Sequence, residues 1–324
     1  LFKKQLIFIT YLIGMAVLTG CVAPAAAPAE AIRLPMGFIP NIQYAPYYVA
    51  VEKGYFAEAG FDIEFDYSFE TDGVKLVGVG EVPFALVSGE QVLLARAQEI
   101  PVVYVVAWYQ EYPIAVVAKQ GAGIESIEDL AGRQVGIPGL FGATYIGLQA
   151  LLNHAGVGEA ELTLDVIGFN QVEALATDQE EAVVGYFSNE AVQLRAQGID
   201  VVEIRVADYV DLASNGIITN ETMIAEHPER VAAFLQAFLR GLEDTIADPD
   251  GAYEISINYI EGLADADAAV QKEVLALSIE FWQAERLGYS EPESWTNMQQ
   301  TLLAMGLLET PLDLDQAFTN EFLP

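Results

Sequence analysis

Leu34–Phe56, LPMGFIPNIQYAPYYVAVEKGYF, runs from an apolar strand through the turn-forming pair Pro40-Asn41 into a helix that stops at Gly54. A strand that ends in such a turn and feeds a helix leaves side chains and free N–H groups at its carboxyl end, where open α/β sheets bind ligands. The stretch therefore predicts one wall of a small-molecule site.

Downstream the alternation continues, with strands at 61–67, 83–87 and 101–108 and helices at 71–79 and 89–98. Strands separated by helices of this length predict βαβ units and a mostly parallel sheet flanked by helices. The apolar segment Pro113–Lys119 is followed by Gly121-Ala122-Gly123, which breaks the pattern, and a second α/β unit begins. Its expected strands lie at 134–137, 162–166, 182–186 and 201–204, with helices at 144–154, 171–177 and 189–197. Beyond a return strand at 215–219, four helices are expected at 228–247, 250–261, 268–281 and 294–304. Val231, Phe234, Leu235, Phe238, Leu239 and Leu242 form the apolar stripe of an amphipathic helix packed on a core.

Upstream, Lys3-Lys4, an uncharged apolar run from Leu6 to Leu18 and then Leu18-Thr19-Gly20-Cys21 read as a secretory leader over 1–21, too short to span a membrane comfortably. Cys21 is the sole cysteine, so no internal disulfide can form, and its setting resembles a bacterial lipobox in which the thiol is acylated. Such a lipid would anchor the chain to the membrane from outside the cytoplasm. The Ala/Pro segment 22–31 reads as an extended tether.

The balance of 14 Lys+Arg against 47 Asp+Glu gives a net charge of -33, which excludes nucleic acid and anionic lipid surfaces as partners because phosphate binding needs positive charge. The same self-repulsion favours a soluble monomer. Catalysis finds little support. His154 and His227 are the only histidines, no Ser-His or Cys-His arrangement is available, and Lys53 ends a helix before Gly54. No paired-ligand spacing for a metal and no GK[ST] phosphate loop occurs, so neither metal nor cofactor is expected.

Four blocks carry a family resemblance: GFIPNIQYAPYYVAVEKGYFAEAGFDIE at 37–64, VSGEQVLLARAQEIPVV at 87–103, IESIEDLAGRQVGIPG at 124–139 and HPERVAAFLQAFLRGLEDTIADP at 227–249. In this order they resemble the substrate-binding proteins of ABC importers, in the NMT1/THI5-like branch. The resemblance implies a periplasmic-binding-protein-like, two-lobe clamshell of type II with a helical carboxy-terminal tail. One lobe would comprise 32–118 and 213–324 and the other 119–212, with ligand held between them and passed to a membrane permease and its ATPase. The branch includes receptors for sulfonates and nitrate-like anions, thiamine-precursor pyrimidines and riboflavin. The likeness at FETDGVKLV, 69–77, and VSGEQVLLARAQ, 87–98, is to the riboflavin receptors, with a formylaminopyrimidine as the alternative ligand. A pyrimidine synthase of the same fold is the enzymatic alternative, but this chain lacks its cysteine-rich motif.

Within that frame the candidate ligand contacts of the first lobe are Phe38, Asn41, Tyr44, Glu70, Ser88, Glu90, Trp108 and Tyr109. Aromatic faces among them suit a flat ring, whereas the carboxylates Glu70, Asp72, Glu90 and Glu111 repel an anion, so the expected ligand is a neutral or weakly basic planar heterocycle. Ser88 opens a helix and reads equally as its cap. Tyr47, Tyr48, Tyr55 and Tyr104 read as core. From the second lobe, the Gly-rich turn carrying Phe141, Gly142 and Thr144 presents a helix N-terminus. The resemblance places Tyr186, Asn189 and Glu190 in the cleft, and Asn215 lies on the return strand.

Overall fold

The computed structural model describes residues 29–324; the leader, Cys21 and most of the tether lie outside the described residues. The first strand starts inside the segment that the sequence reading assigned to the tether. Glu30 and Ala31 already belong to strand β1 (Glu30–Gly37), paired in parallel with Phe61 and Asp62 of β2 (Phe61–Phe69). Alternation of buried Ile32, Leu34 and Met36 with exposed Arg33 fixes which face of β1 meets the core.

The remaining strands are β3 (Ala85–Ser88), β4 (Val102–Ala107), β5 (Ile114–Lys119), β6 (Gln134–Ile137), β7 (Thr163–Val166), β8 (Ala182–Tyr186), β9 (Val201–Arg205) and β10 (Asn215–Asn220). They form a β1-β2 pair, a three-stranded sheet ordered β3-β10-β4 and a five-stranded sheet ordered β7-β6-β8-β5-β9. The fold is the expected α/β architecture, but its sheets are mixed rather than mostly parallel. β10 runs antiparallel to both β3 and β4, and β5 runs antiparallel to both β8 and β9. Hydrophobic alternation has the same period in either direction, so it carries no information on strand polarity.

Both antiparallel strands follow a passage of the chain from one sheet to the other. β5 pairs wholly within the five-stranded sheet, so the chain changes sheets before Ile114, ahead of the boundary at 118 read from the sequence. The return ends at Asn215, which pairs with Ser88.

The helix Pro228–Ala247 buries its predicted stripe against the helix Ala45–Glu52. Phe234 stacks on Phe84 at 3.9 Å and Phe238 on Tyr47 at 4.6 Å, all four rings within the core. Truncating either phenylalanine would cost about 3–5 kcal/mol through lost transfer energy and a residual void. This packing seats the opening stretch, with its strand-to-helix corner facing the five-stranded sheet. Among the described residues no helix is long and apolar enough to cross a membrane.

Candidate functional site

A cavity of about 380 Å³ lies where the carboxyl ends of β1, β2, β6, β7 and β8 face each other. Its wall on the β1 side is built by the opening stretch. Asn41 accepts a hydrogen bond from the Gln43 N–H at 2.9 Å and so starts a tight helical turn, which ends at Tyr44. The Tyr44 hydroxyl donates to the Met36 carbonyl at 2.7 Å, tying the turn back to its own strand. Tyr44 stacks on Trp108 (5.5 Å, 27°), and Tyr109 stands edge-on to Trp108 at 4.8 Å. The result is an aromatic floor whose rings are ordered by neighbours rather than by ligand. The Trp108 indole N–H is buried without a partner.

Gly37 allows close approach at the end of β1: its φ is +81°, and a Cβ there would stand 2.8 Å from Glu70 Cγ. Glu70 opens the helix Glu70–Gly78 and is half-buried. Its carboxyl accepts from Ser88 Oγ at 2.6 Å and from Asn215 Nδ2 at 3.3 Å. Loss of water, then the neighbouring Glu90, pushes its pKa up to about 8. Across the cavity, Glu190 opens the helix Glu190–Ala196 and accepts from the Tyr186 N–H at 2.7 Å and from Asn189 Nδ2 at 3.1 Å. Burial pushes its pKa up to about 7. Two helix starts that would favour an anion are thus already occupied by carboxyl groups.

The walls touch across the opening. Phe38 meets Phe169 edge-to-face at 4.6 Å, and Phe69 meets Phe141 at 6.0 Å. Deeper, the Tyr186 hydroxyl donates to Asn215 Oδ1 at 3.0 Å, joining the end of β8 to the start of β10. Gln43 Nε2 lies 3.0 Å from both Tyr109 Oη and Ser188 Oγ. No lysine, arginine or histidine lines the cavity among the described residues.

Twelve of the residues singled out in the sequence line this space: Phe38, Tyr44, Glu70, Trp108, Tyr109, Phe141, Gly142, Thr144, Tyr186, Asn189, Glu190 and Asn215. Asn41, Ser88 and Glu90 do not. Asn41 caps the turn and faces an adjoining chamber. Ser88 and Glu90 are fully buried behind Glu70, and between them Gly89 lies so close to Ala213 that a Cβ there would stand 2.5 Å from the alanine Cβ. Ser88 caps nothing; its hydroxyl bonds the carboxyls of Glu70 and Glu90. Of the four repelling carboxylates expected, only Glu70 reaches the cavity, while Asp72 and Glu111 are exposed elsewhere. Sequence reasoning passed over Phe169, Gln171 and Leu86. Phe169 follows Gly168 just past the end of β7, and that strand-end position was the available signal.

Tyr47, Tyr48 and Tyr104 are core, as read, whereas Tyr55 is only partly buried and bonds Asp244. His154 and His227 are exposed and outside the cavity, and Lys53 pairs with Asp244 at 2.8 Å on the surface. The chemistry available is therefore that of holding a ligand: flat apolar faces, amides, and carboxyls able to carry a proton.

The chain is 44% identical to the riboflavin-binding protein RibY of Chloroflexus aurantiacus, over 94% of this chain and 92% of that protein. It is 29% identical to a formylaminopyrimidine-binding protein of Halalkalibacterium halodurans, over 98% and 99% of the two chains. Synthases of a pyrimidine phosphate also occur among its relatives at lower identity, as in Legionella pneumophila at 23%. In three dimensions it resembles the periplasmic aliphatic sulphonate-binding protein SsuA of Escherichia coli, with a TM-score of 0.72 and 14% identity over 89% and 96% of the chains. The periplasmic-binding-protein fold is therefore shown. The family model described as NMT1/THI5 like matches residues 41–252, and the chain belongs to that family.

Proposed function

We propose that the protein is the extracytoplasmic solute-binding component of an ABC importer, that it captures riboflavin between its lobes, and that it delivers the vitamin to a membrane permease driven by an ATPase. The observation that carries the reading is the cation-free aromatic cavity, with a wall of Tyr44, Trp108 and Tyr109 and carboxyls at both helix starts. A sulfonate or nitrate would enter without a single positive partner. A neutral isoalloxazine can stack on the aromatic faces while amides and carboxyls bond its edge. The identity to a riboflavin-binding relative supports the same ligand, and a formylaminopyrimidine remains the second reading because of the other relative.

The lobes we assign are the β1–β4 and β10 unit with the helical tail, and the β5–β9 unit. The protein acts as a monomer, held to the outer face of the cell membrane by acylation of Cys21. Mass spectrometry of the membrane-extracted protein tests the anchor: a diacylglyceryl adduct on Cys21 is expected, and an unmodified chain would remove that element. For the ligand, purified protein is titrated with riboflavin while flavin fluorescence is followed. Saturable quenching at one flavin per chain at micromolar or lower concentration is expected. Unquenched flavin together with binding of the formylaminopyrimidine would transfer the assignment to the second reading.

A further inference from the structure

A second chamber of about 490 Å³ adjoins the aromatic cavity, and the two share Phe38, Phe169, Gln171, Asn189 and Glu190. The edge-to-face pair Phe38–Phe169 stands between them. The two spaces differ in chemistry. The first is floored by Tyr44, Trp108 and Tyr109, whereas the second is lined by Asn41, Asn170, Thr177, Gln193 and Gln197. Asn41 uses its side-chain oxygen on the Gln43 N–H, leaving its NH₂ group for another partner. Gln193 uses its NH₂ group on Asn189 Oδ1 at 2.8 Å, leaving its oxygen. Gln197 is exposed at the rim. Amides supply donors and acceptors side by side, the complement of hydroxyl groups, each of which both donates and accepts.

We infer that this chamber is a subsite for an uncharged polyhydroxylated chain attached to the planar ring held in the first cavity. The inference rests on the flavin reading and deepens it: the isoalloxazine occupies the aromatic cavity, and the ribityl chain passes the Phe38–Phe169 pair toward Asn41 and Gln193. Charge sets a further limit. Glu173 and Glu190 are the charged residues on the chamber wall, and no lysine or arginine lines it among the described residues. A phosphate at the end of the chain therefore meets two carboxyl groups and no cation, and the subsite selects the free vitamin over its phosphate ester. A bare pyrimidine has no chain to place there.

The test uses the full chain with riboflavin, lumiflavin, which carries a methyl group in place of the ribityl chain, and flavin mononucleotide. Gln193→Leu keeps the side-chain volume close and removes the amide. We expect it to weaken riboflavin binding about five- to tenfold, the worth of one neutral hydrogen bond, and to weaken lumiflavin binding less, since the aromatic cavity feels the change only through Asn189. Wild type should prefer riboflavin to both other flavins. Equal affinity for riboflavin and lumiflavin, or an equal loss for both in Gln193→Leu, would overturn the subsite while leaving the aromatic cavity as the flavin site. If no flavin binds at all, the flavin reading itself fails, and the subsite with it.

Discussion

Replacing Tyr186 with phenylalanine removes one oxygen atom from the centre of the cleft. That hydroxyl donates to Asn215 Oδ1 at 3.0 Å and is the hydrogen bond that links the end of β8 to the start of β10. Asn215 is buried at 7% exposure and passes its own NH₂ on to Glu70 at 3.3 Å. In the proposed clamshell, water satisfies both groups when the lobes part, so the loss is expected to fall on the closed, liganded state. The bond contributes about 1 kcal/mol net, and leaving the Asn215 oxygen without a donor raises the total to about 1–2 kcal/mol. At about 1.4 kcal/mol per decade, riboflavin should bind about five- to thirtyfold more weakly. The control is Tyr104→Phe. Tyr104 is buried, donates to the Ser214 carbonyl at 3.2 Å and stands outside the cavity. That variant should lose a comparable amount of folding stability in urea titration with affinity unchanged. Flavin titrations of both variants decide the matter. Tyr186→Phe binding within twofold of wild type, or Tyr104→Phe binding as weakly as Tyr186→Phe, would refute the reasoning that this bond couples ligand to closure.

Glu70 gives a pH prediction whose sign follows from its raised pKa, about 8 in the fold against 4.5 for an ordinary glutamate. Its neutral form stabilises the native state; that contribution is complete below about 4.5 and is lost as pH rises through about 8, so the unliganded protein should melt at falling temperature across that window. Glu70→Gln, permanently neutral, should flatten the slope in thermal melts, and parallel slopes for the two proteins would contradict the assignment. Gly37→Ala forces a side chain onto a +81° φ and into Glu70 Cγ at 2.8 Å. It should cost about 1–3 kcal/mol in urea unfolding, and a loss under a few tenths would show that the corner is not constrained. Phe169→Ala removes the cross-cleft contact with Phe38 from a residue that is 40% exposed. An aromatic pair is worth about 0.5–1.5 kcal/mol, so stopped-flow should show flavin leaving about two- to tenfold faster with little change in the melting temperature of the unliganded protein. An unchanged release rate would remove Phe169 from the gate.

The sequence made the corners of the site legible because turn chemistry is local. Pro40-Asn41, Gly139 to Gly142 and the strand ends at Tyr186 and Trp108 announce where strands stop, and ligand walls in α/β folds gather at those stops. Depth was not legible. Ser88 and Glu90 have the same local pattern as Glu70, yet they are fully buried where Gly89 packs against Ala213, far apart in sequence. Phe69 fell within a loop marked for its carboxylates, and Phe169 went unremarked, because an apolar ring in a loop carries no polar signature. Their role emerges only when the two walls face each other. Strand polarity was hidden for a similar reason. β5 and β10 alternate like any buried strand, and their antiparallel setting follows from where the chain enters each sheet.

The carboxyl pair formed by Glu70 on the cavity wall and Glu90 behind it links fold and ligand choice. Glu90 Oε2 is buried without a partner and burial raises its pKa, while Glu70, bonded to the same Ser88 hydroxyl, is pushed up to about 8. Protonated carboxyls donate to a ligand carbonyl, and ionised ones accept from a ring N–H. Such a site tolerates a neutral heterocycle with both kinds of edge and rejects an anion.

The central claim is that a neutral flavin, and not an anion, fills the cleft. Calorimetric titration of the purified protein with riboflavin and with an alkanesulfonate, each at low and at high salt, tests it most directly. The account predicts heat for riboflavin alone, at one site per chain, with affinity unchanged by salt because no ion pair forms. Binding of the sulfonate, or riboflavin binding that collapses as salt is raised, would contradict it.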